Sequence, residues 1–477
     1  MTHYASRFTF YLLILAFSGF SVNAQQPGSP LWHYQRAETL TEGQRFDEAL
    51  REYQEVLKQD PNFAEAHSGI GYVYWKIGRT DEAIEAFQRA LALNNRILKA
   101  HAAMGTILSE HGLYSEAISH YEMAIDINPK LGWLHSNLAN LLWGQGRGVE
   151  AVDHYRRAIE LDPDLPQAHL GLGNIYLTQF QFSLALEAYT RAIALDSRLY
   201  EAYSNRGVIY SKQGAYEKAI ADFQRALKIV PDFKPARFEL GFVYQQQGEY
   251  ERAVSEYEKI LPESADDLGL HHNLSRCYAR LGRVEEAKRE WEIAQRLRKL
   301  NEAVDAAQQK IRENPDVPGG YMELAKIYSE NNQPAKAFEL YKAALLKDSH
   351  LMDAYDEIAT LYLQHNQREQ AIAVYETAVG VESGYIRGHL MLGLLYRQRG
   401  QSTQSDEHLQ TARALAQKAV EAAPNVENLD TLASVYYAMR DYEGAEATLQ
   451  RAIELAPNNA LIRNHLDHIR QAKRRKE

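Results

Sequence analysis

From residue 30 onward, apolar and polar positions repeat in a unit of 34 residues, with copies beginning at 30, 64, 98, 132, 166, 200, 234 and 268. In the first half of each copy, apolar or aromatic residues favour positions 4, 7, 8 and 11, which the helical period gathers on one face. The sixth copy places Tyr203, Arg206, Gly207 and Tyr210 there, with Arg206 as the departure. In the second half, alanine stands at position 20 (49, 83, 117, 151, 185, 219, 253 and 287) and an aromatic at 24 (Tyr53, Phe87, Tyr121, Tyr155, Tyr189, Phe223, Tyr257, Trp291). Each copy is therefore predicted to be two antiparallel helices closed over small residues.

The punctuation agrees with the pattern. Position 8 is small in most copies (Gly71, Gly105, Ala139, Gly173, Gly207, Gly241), which lets the partner helix approach. Position 15 is glycine at 78, 112, 146, 214, 248 and 282, suited to the left-handed turn that ends a helix. Pro61, Pro129, Pro163 and Pro231 at position 32 stop the second helix. After the eighth copy the register slips, and Ala337 resumes the series. The intervening stretch from Glu285 to Arg312 has no Gly or Pro and predicts one prolonged helix. Further copies follow at 318, 352 and 386, where Ser405 replaces the alanine, and after a smaller slip at 426. The expected organisation is a signal segment at 1–24, a linker at 25–29, a first array at 30–301, and an extended helix with register break at 285–317. A second array follows at 318–459, then a terminal solvating helix with a basic tail at 460–477.

These residues resemble the tetratricopeptide repeat, whose unit is a helical hairpin and whose arrays wind into superhelices. The resemblance implies an all-α fold, a right-handed superhelical solenoid of about twelve helix-turn-helix repeats. Such a fold grows in one dimension and needs no single large core.

Composition then narrows the partners. Lys and Arg number 53 against 63 Asp and Glu, a net charge of -10, which disfavours nucleic acid. Arg7, the apolar run Phe8 to Phe20 and the small residues up to Ala24 read as a cleavable export signal, short for a membrane span, with a retained anchor as the other reading. The mature chain is thus expected to be periplasmic or secreted and not membrane-spanning. Cys277, the only cysteine, can form no disulfide within the chain and reads as a small packed residue. His33, His67, His101, His135 and His169 occupy position 4 of five successive copies. Neighbouring helices lie about 8–10 Å apart, too far for equivalent histidines to share one ion, so a packed row rather than a metal site is expected. No phosphate loop, zinc-protease pair or nucleophile elbow is present. Neither catalysis nor a cofactor is expected.

What remains is the stripe at positions 2, 5, 9 and 12 of the first helices, which by the resemblance faces the concave side. It holds Tyr72, Trp75, Trp133, Asn140, Trp143, Asn174, Leu177, Phe238 and Phe242, with Asn137, Asn205 and Asn273 at position 6 beside it. An asparagine amide can donate to and accept from a peptide backbone, and exposed aromatics add area at low entropic cost. The asparagines resemble the ladder in the superhelical arm of O-linked N-acetylglucosamine transferase, although Gly171, Glu239 and Glu323 interrupt it and no catalytic region follows. The carboxylate clamp of co-chaperones in the same family is absent, since Leu170, Pro235 and Glu239 fill its cationic places. The expected function is an exported scaffold that binds a protein or extended peptide in its groove, in envelope or secretion assembly. Two other readings stay open at this point: a carbohydrate-binding part of polysaccharide export or cell-wall machinery, and a regulatory arm of a separate enzyme.

Overall fold

The computed structural model of the protein describes residues 26–475, and the segment read as an export signal lies outside them. Every regular element among the described residues is helical, and the chain forms an all-α repeat solenoid. It divides into two compact units, one ending at Glu290 and one starting at Trp291.

In the first unit, hairpins follow one another from Pro30–Glu42 with Phe46–Gln59 to Leu268–Arg280 with the start of Val284–Glu313. The alanines at position 20, from Ala49 to Ala253, are fully buried, as are the rings of Tyr53, Phe87, Tyr155, Tyr189, Phe223 and Tyr257. The small residue at position 8 is needed because the ring at 24 lies directly on it. A Cβ on Gly173 would stand 2.8 Å from the Tyr189 ring, and one on Gly241 2.7 Å from Tyr257. Real carbon contacts are not that short, so these glycines set the interhelical distance. At the turn, Gly78, Gly112, Gly146, Gly214, Gly248 and Gly282 adopt φ of 73 to 82°, and Gln44 and Phe180 take the same left-handed conformation without being glycine.

The second unit contains the hairpins Pro318–Glu330 with Pro334–Lys347, Met352–Gln364 with Arg368–Val381, Ile386–Gln398 with Ser402–Ala422, and Val426–Ala438 with Tyr442–Leu455. Ser405, in the alanine place, is buried and donates to the Gly393 carbonyl at 2.7 Å, which satisfies its hydroxyl across the hairpin. Ala460–Arg474 closes the unit by burying Ile462, Leu466 and Ile469. The 30-residue helix Val284–Glu313 crosses the division between the units.

The histidine row has a local role. Nε2 of His67, His101, His135 and His169 faces the carbonyl oxygen six residues earlier, of Pro61, Asn95, Pro129 and Pro163, at 2.9 to 3.3 Å. Position 4 thus ties down the turn between repeats, and Arg237 does the same for Pro231. Arg206, the departure from the apolar pattern, is a planned one. It forms a two-pronged pair with the Asp222 carboxylate at 2.7 and 2.8 Å, and its guanidinium lies near the rings of Tyr203 and Tyr210.

Candidate peptide-binding groove

The groove residues are built outward from the buried rings. In the first unit, a tyrosine at position 24 brings its hydroxyl to a partner at the end of a ring held inside the hairpin. The Tyr155 hydroxyl donates to Asn140 Oδ1 at 2.5 Å, and Tyr189 to Asn174 Oδ1 at 2.8 Å. Tyr121 meets the Thr106 hydroxyl at 2.8 Å, and Tyr53 donates to Glu38. All four acceptors stand at position 9 of the same repeat. After Tyr121 and Tyr189, position 6 of the following repeat joins in: Asn205 Nδ2 donates to Asn174 Oδ1 at 2.9 Å, and Asn137 Nδ2 reaches the Tyr121 hydroxyl at 3.5 Å, whereas Gly69 and Gly171 hold that place after Tyr53 and Tyr155. Burial holds the phenols of Tyr155, Tyr189 and Tyr257 far above their ordinary range, so all three act as neutral donors.

The result is a polar ladder that runs from tyrosine to position 9 and on to the next repeat. The Oδ1 atoms of Asn140 and Asn174 are occupied from within. Asn174 Oδ1 takes two donors, which leaves its Nδ2 amide for the groove. Asn205, which spends Nδ2 on Asn174, offers its carbonyl instead.

Charge enters at one end of this unit. Lys99 Nζ donates to Glu38 Oε1 at 3.1 Å and stands 4.6 Å from the Tyr72 ring centre. Lys76 lies 5.2 Å from Tyr72 and 4.5 Å from Trp75, and burial lowers its ammonium pKa against the opposing pull of Glu110. Further along, burial raises Glu239 against the nearby Lys212.

The predicted residues divide into those that reach the surface and those that support it. Asn140 is exposed, while Tyr72, Trp75, Trp133, Asn137, Trp143, Asn174, Leu177, Asn205, Phe238, Phe242 and Asn273 are half-buried. The structure brings together Asn174 with Asn205, and Tyr72 with Trp75, whose rings meet edge to face at 5.9 Å. Asn273 lies beside Tyr257, whose hydroxyl donates to Gln245 Oε1 at 3.2 Å. Position 5 needs correction, because it does not line the groove throughout: Ser68, Ala102, Ser136 and Ser204 are buried. Position 5 borders the ring of the second helix, as Tyr34 beside Tyr53 (6.1 Å) and Phe238 beside Tyr257 (5.7 Å) show. A small residue there closes the seam.

Sequence reasoning missed the tyrosine hydroxyls, although the chain signals them. Where position 24 is Tyr53, Tyr121, Tyr155 or Tyr189, position 9 is Glu38, Thr106, Asn140 or Asn174. Where it is Phe223, position 9 is Val208, whereas Tyr257 stands over Phe242 and turns instead to Gln245 Oε1 at position 12, 3.2 Å away. It also missed the second unit, where positions 5, 9 and 12 of two neighbouring repeats line a pocket of about 390 Å³ with Leu390, Leu394, Arg397, Ser434 and Tyr437.

Models of the tetratricopeptide repeat match residues 34–96, 132–157, 149–179, 166–198, 200–233, 246–292, 353–385 and 386–458. The chain belongs to the tetratricopeptide repeat family. No curated protein matches it. Among solved structures it is similar to YrrB, described as a TPR protein with an unusual peptide-binding site, at 21% identity over 39% of this chain and 95% of that one, TM-score 0.34. It is similar to PilF of Pseudomonas aeruginosa at 16% identity over 46% and 97%, TM-score 0.41, and to MamA at 24% over 34% and 94%, TM-score 0.31. The tetratricopeptide repeat is a protein-binding scaffold. No described helix of this one is long and apolar enough to cross a membrane.

Proposed function

We propose that this protein is a non-catalytic scaffold that holds an extended peptide segment of a partner protein along the groove of its first unit. The observation that carries this reading is the tyrosine-anchored ladder of Asn137, Asn140, Asn174 and Asn205. The asparagines are fixed by bonds from behind, so they meet a ligand without first losing rotamer freedom. An amide donor on one repeat and an amide carbonyl on the next suit the alternating C=O and N–H groups of an extended backbone. Trp133 and Trp143, half-buried on the same stripe, supply area beside them. The carbohydrate reading gains less support, because Trp75 already faces Lys76 and Trp143 packs across the start of the next helix at Gly148.

A displayed library of random peptides panned on the full chain at pH 7.5 tests this. Enriched peptides should bind at micromolar strength, and Asn140→Ala with Asn174→Ala should weaken them tenfold or more. Binding untouched by both changes refutes the groove assignment. Retention of glycans without enrichment of any peptide would favour the carbohydrate reading.

We further propose that the protein is exported and acts in envelope or secretion assembly. The support is sequence alone: Arg7, the apolar run from Phe8 to Phe20, and Ala24 at the predicted cleavage point. Amino-terminal sequencing of protein from a fractionated producing cell checks it. A chain beginning at residue 25 outside the cytoplasm is expected, and an uncleaved cytoplasmic chain would refute export.

A further inference from the structure

Position 4 of a repeat faces position 23 of the same repeat across the hairpin, nineteen residues on, and the chain fills that pair with different chemistry in different copies. Repeat one pairs His33 with Glu52 at 2.6 Å, repeat seven Arg237 with Glu256 at 2.9 Å, and repeat eight His271 with Glu290 at 2.5 Å. Repeats three and four are unlike these. His101 Nδ1 meets His120 Nδ1 at 2.9 Å, and His135 Nδ1 meets His154 Nδ1 at 3.0 Å. In the second unit His389 meets His408 in the same way at 2.9 Å.

The proton positions follow from the surroundings. Nε2 of His101 and of His135 faces a backbone carbonyl, which only accepts, so Nε2 carries the hydrogen. Nδ1 of the same neutral ring is then bare and must accept, so His120 and His154 donate from Nδ1 and keep an open Nε2. A first proton can enter at that open Nε2 without breaking the pair. A second proton has only Nδ1 of His101 or His135 to bind, and it sets N–H against N–H between two cations. The pair opens there.

We propose that the histidine pairs of repeats three and four are an acid latch, which holds the two helices of each hairpin together at neutral pH and frees them on acidification. The same hairpins, Leu98–Glu110 with Tyr114–Ile127 and Gly132–Gly144 with Gly148–Leu161, carry Thr106, Trp133, Asn137, Asn140 and Trp143. Opening pulls Tyr121 from Thr106 and Tyr155 from Asn140, the two bonds that fix this stretch of the ladder. Acid therefore releases a peptide held there, a consequence that rests on the groove reading above.

The charged surroundings set an order. His120 has its mate His101 as the charged group acting on it, and burial together with that mate lowers its pKa. Around the second pair, burial again lowers His154 and His135, and Arg147 acts on the former and Arg157 on the latter in the same direction. Glu122 from the preceding repeat, with Glu150 and Asp153 on the same helix, supports a cation at His154. Repeat three, which lacks that support, opens first. His408 in the second unit has Glu376 and Glu407 beside it and the Tyr396 ring stacked on it at 5.6 Å.

The sign is that of groups depressed on folding. Unfolded, His120, His135 and His154 bind protons near pH 6.5, whereas burial lowers them in the folded chain, so stability falls as pH drops below about 6.5. In repeats one and eight, protonation places a cation against a carboxylate and the contact survives.

Hydrogen exchange of the full chain, read by mass spectrometry at pH 7.5 and 5 and corrected for intrinsic rates, tests the latch without any ligand. Protection over residues 98–161 should drop about tenfold more than over 30–59 and 234–290, the expectation for one proton per unit of pH. His120→Gln with His154→Gln keeps a donor to Nδ1, removes the site of the first proton, and lets the amide turn its Oε1 to accept from a protonated His101 or His135, so it should preserve protection at pH 5. Glu52→His should transplant the sensitivity to residues 30–59. A uniform loss along the unit, or a loss unchanged by these substitutions, overturns the latch. Peptides that bind at pH 7.5 to a chain with no such loss would refute the latch and leave the groove standing. An acid-sensitive chain that binds no peptide would refute the groove and leave the latch.

Discussion

Replacing Gly171 by alanine should destabilise repeats four and five by about 1–3 kcal/mol, the usual range for overfilling a packed interior. A Cβ built on Gly171 stands 2.2 Å from Cζ of Tyr155 and 2.3 Å from its hydroxyl oxygen. The ring cannot retreat freely, since it is 1% exposed and its hydroxyl is bonded to Asn140 at 2.5 Å. A shift large enough to restore ordinary contact therefore breaks that bond, which accounts for about 0.5–1.5 kcal/mol of the loss. Asparagine occupies the equivalent position at 137 and 205, where the tyrosine hydroxyl makes room and gains the amide as a neighbour. Gly171 is thus specific to the way Tyr155 reaches Asn140. Gly144 serves as the control, because nothing lies within 4 Å of its Cβ position and alanine is the better helix former by up to about 1 kcal/mol. Urea titration gives the overall effect. Hydrogen exchange over residues 148–178 localises it, since repeat arrays do not always unfold in one step. Unchanged protection in Gly171→Ala, or a loss equal to that of Gly144→Ala, would refute the packing argument.

Phe180→Gly should stabilise the chain by about 0.5–1 kcal/mol in urea titration, because Phe180 is 75% exposed and held at φ 58°, where a side chain costs about 1–2 kcal/mol. Loss of stability there would mean that its contact with Phe182 matters more than the strain. Arg206→Ala should cost about 2–4 kcal/mol by leaving the Asp222 carboxylate, 9% exposed, without its partner. The double change with Asp222→Ala should cost less than the sum of the two single changes in a double-mutant cycle, and additive costs would contradict a direct pair. Cys277 is buried and its thiol is pushed up to about 11, so native protein at pH 8 should react with iodoacetamide at least ~100-fold more slowly than urea-unfolded protein. Comparable rates would show that this helix opens readily.

The hairpins were legible because each depends on a rule confined to a few neighbouring residues. A helix cannot carry a large side chain where another ring lies on its backbone, so Gly71, Gly105, Gly173, Gly207 and Gly241 announce the contact in advance. Left-handed turns call for glycine, and the described hairpins have it at seven of them. The departures were less legible for the same reason. Arg206 breaks an apolar pattern and finds Asp222 sixteen residues later, and His101 finds His120 nineteen later. No periodicity links those positions, and the partner types differ from copy to copy. Only the folded hairpin shows that position 4 has two duties, one toward the turn carbonyl and one toward position 23.

The groove was half legible, and the missing half changes its chemistry. Read as a row of surface amides, the asparagines could present either end to a ligand. The buried tyrosines remove that freedom, because a phenol that cannot reach water takes the nearest acceptor. At Asn140 and Asn174 that acceptor is the side-chain oxygen, and the amide nitrogen is left facing outward as a donor. Asn205 is turned the other way by its bond to Asn174. The order of donors and carbonyls along the groove is therefore written by Tyr155 and Tyr189 in the core. Tyr155→Phe and Tyr189→Phe, which touch no ligand, should cost little stability yet let the asparagines rotate and weaken peptide binding several-fold. If such variants bind enriched peptides with unchanged affinity, the amides are not oriented from within and the ladder is only a feature of packing.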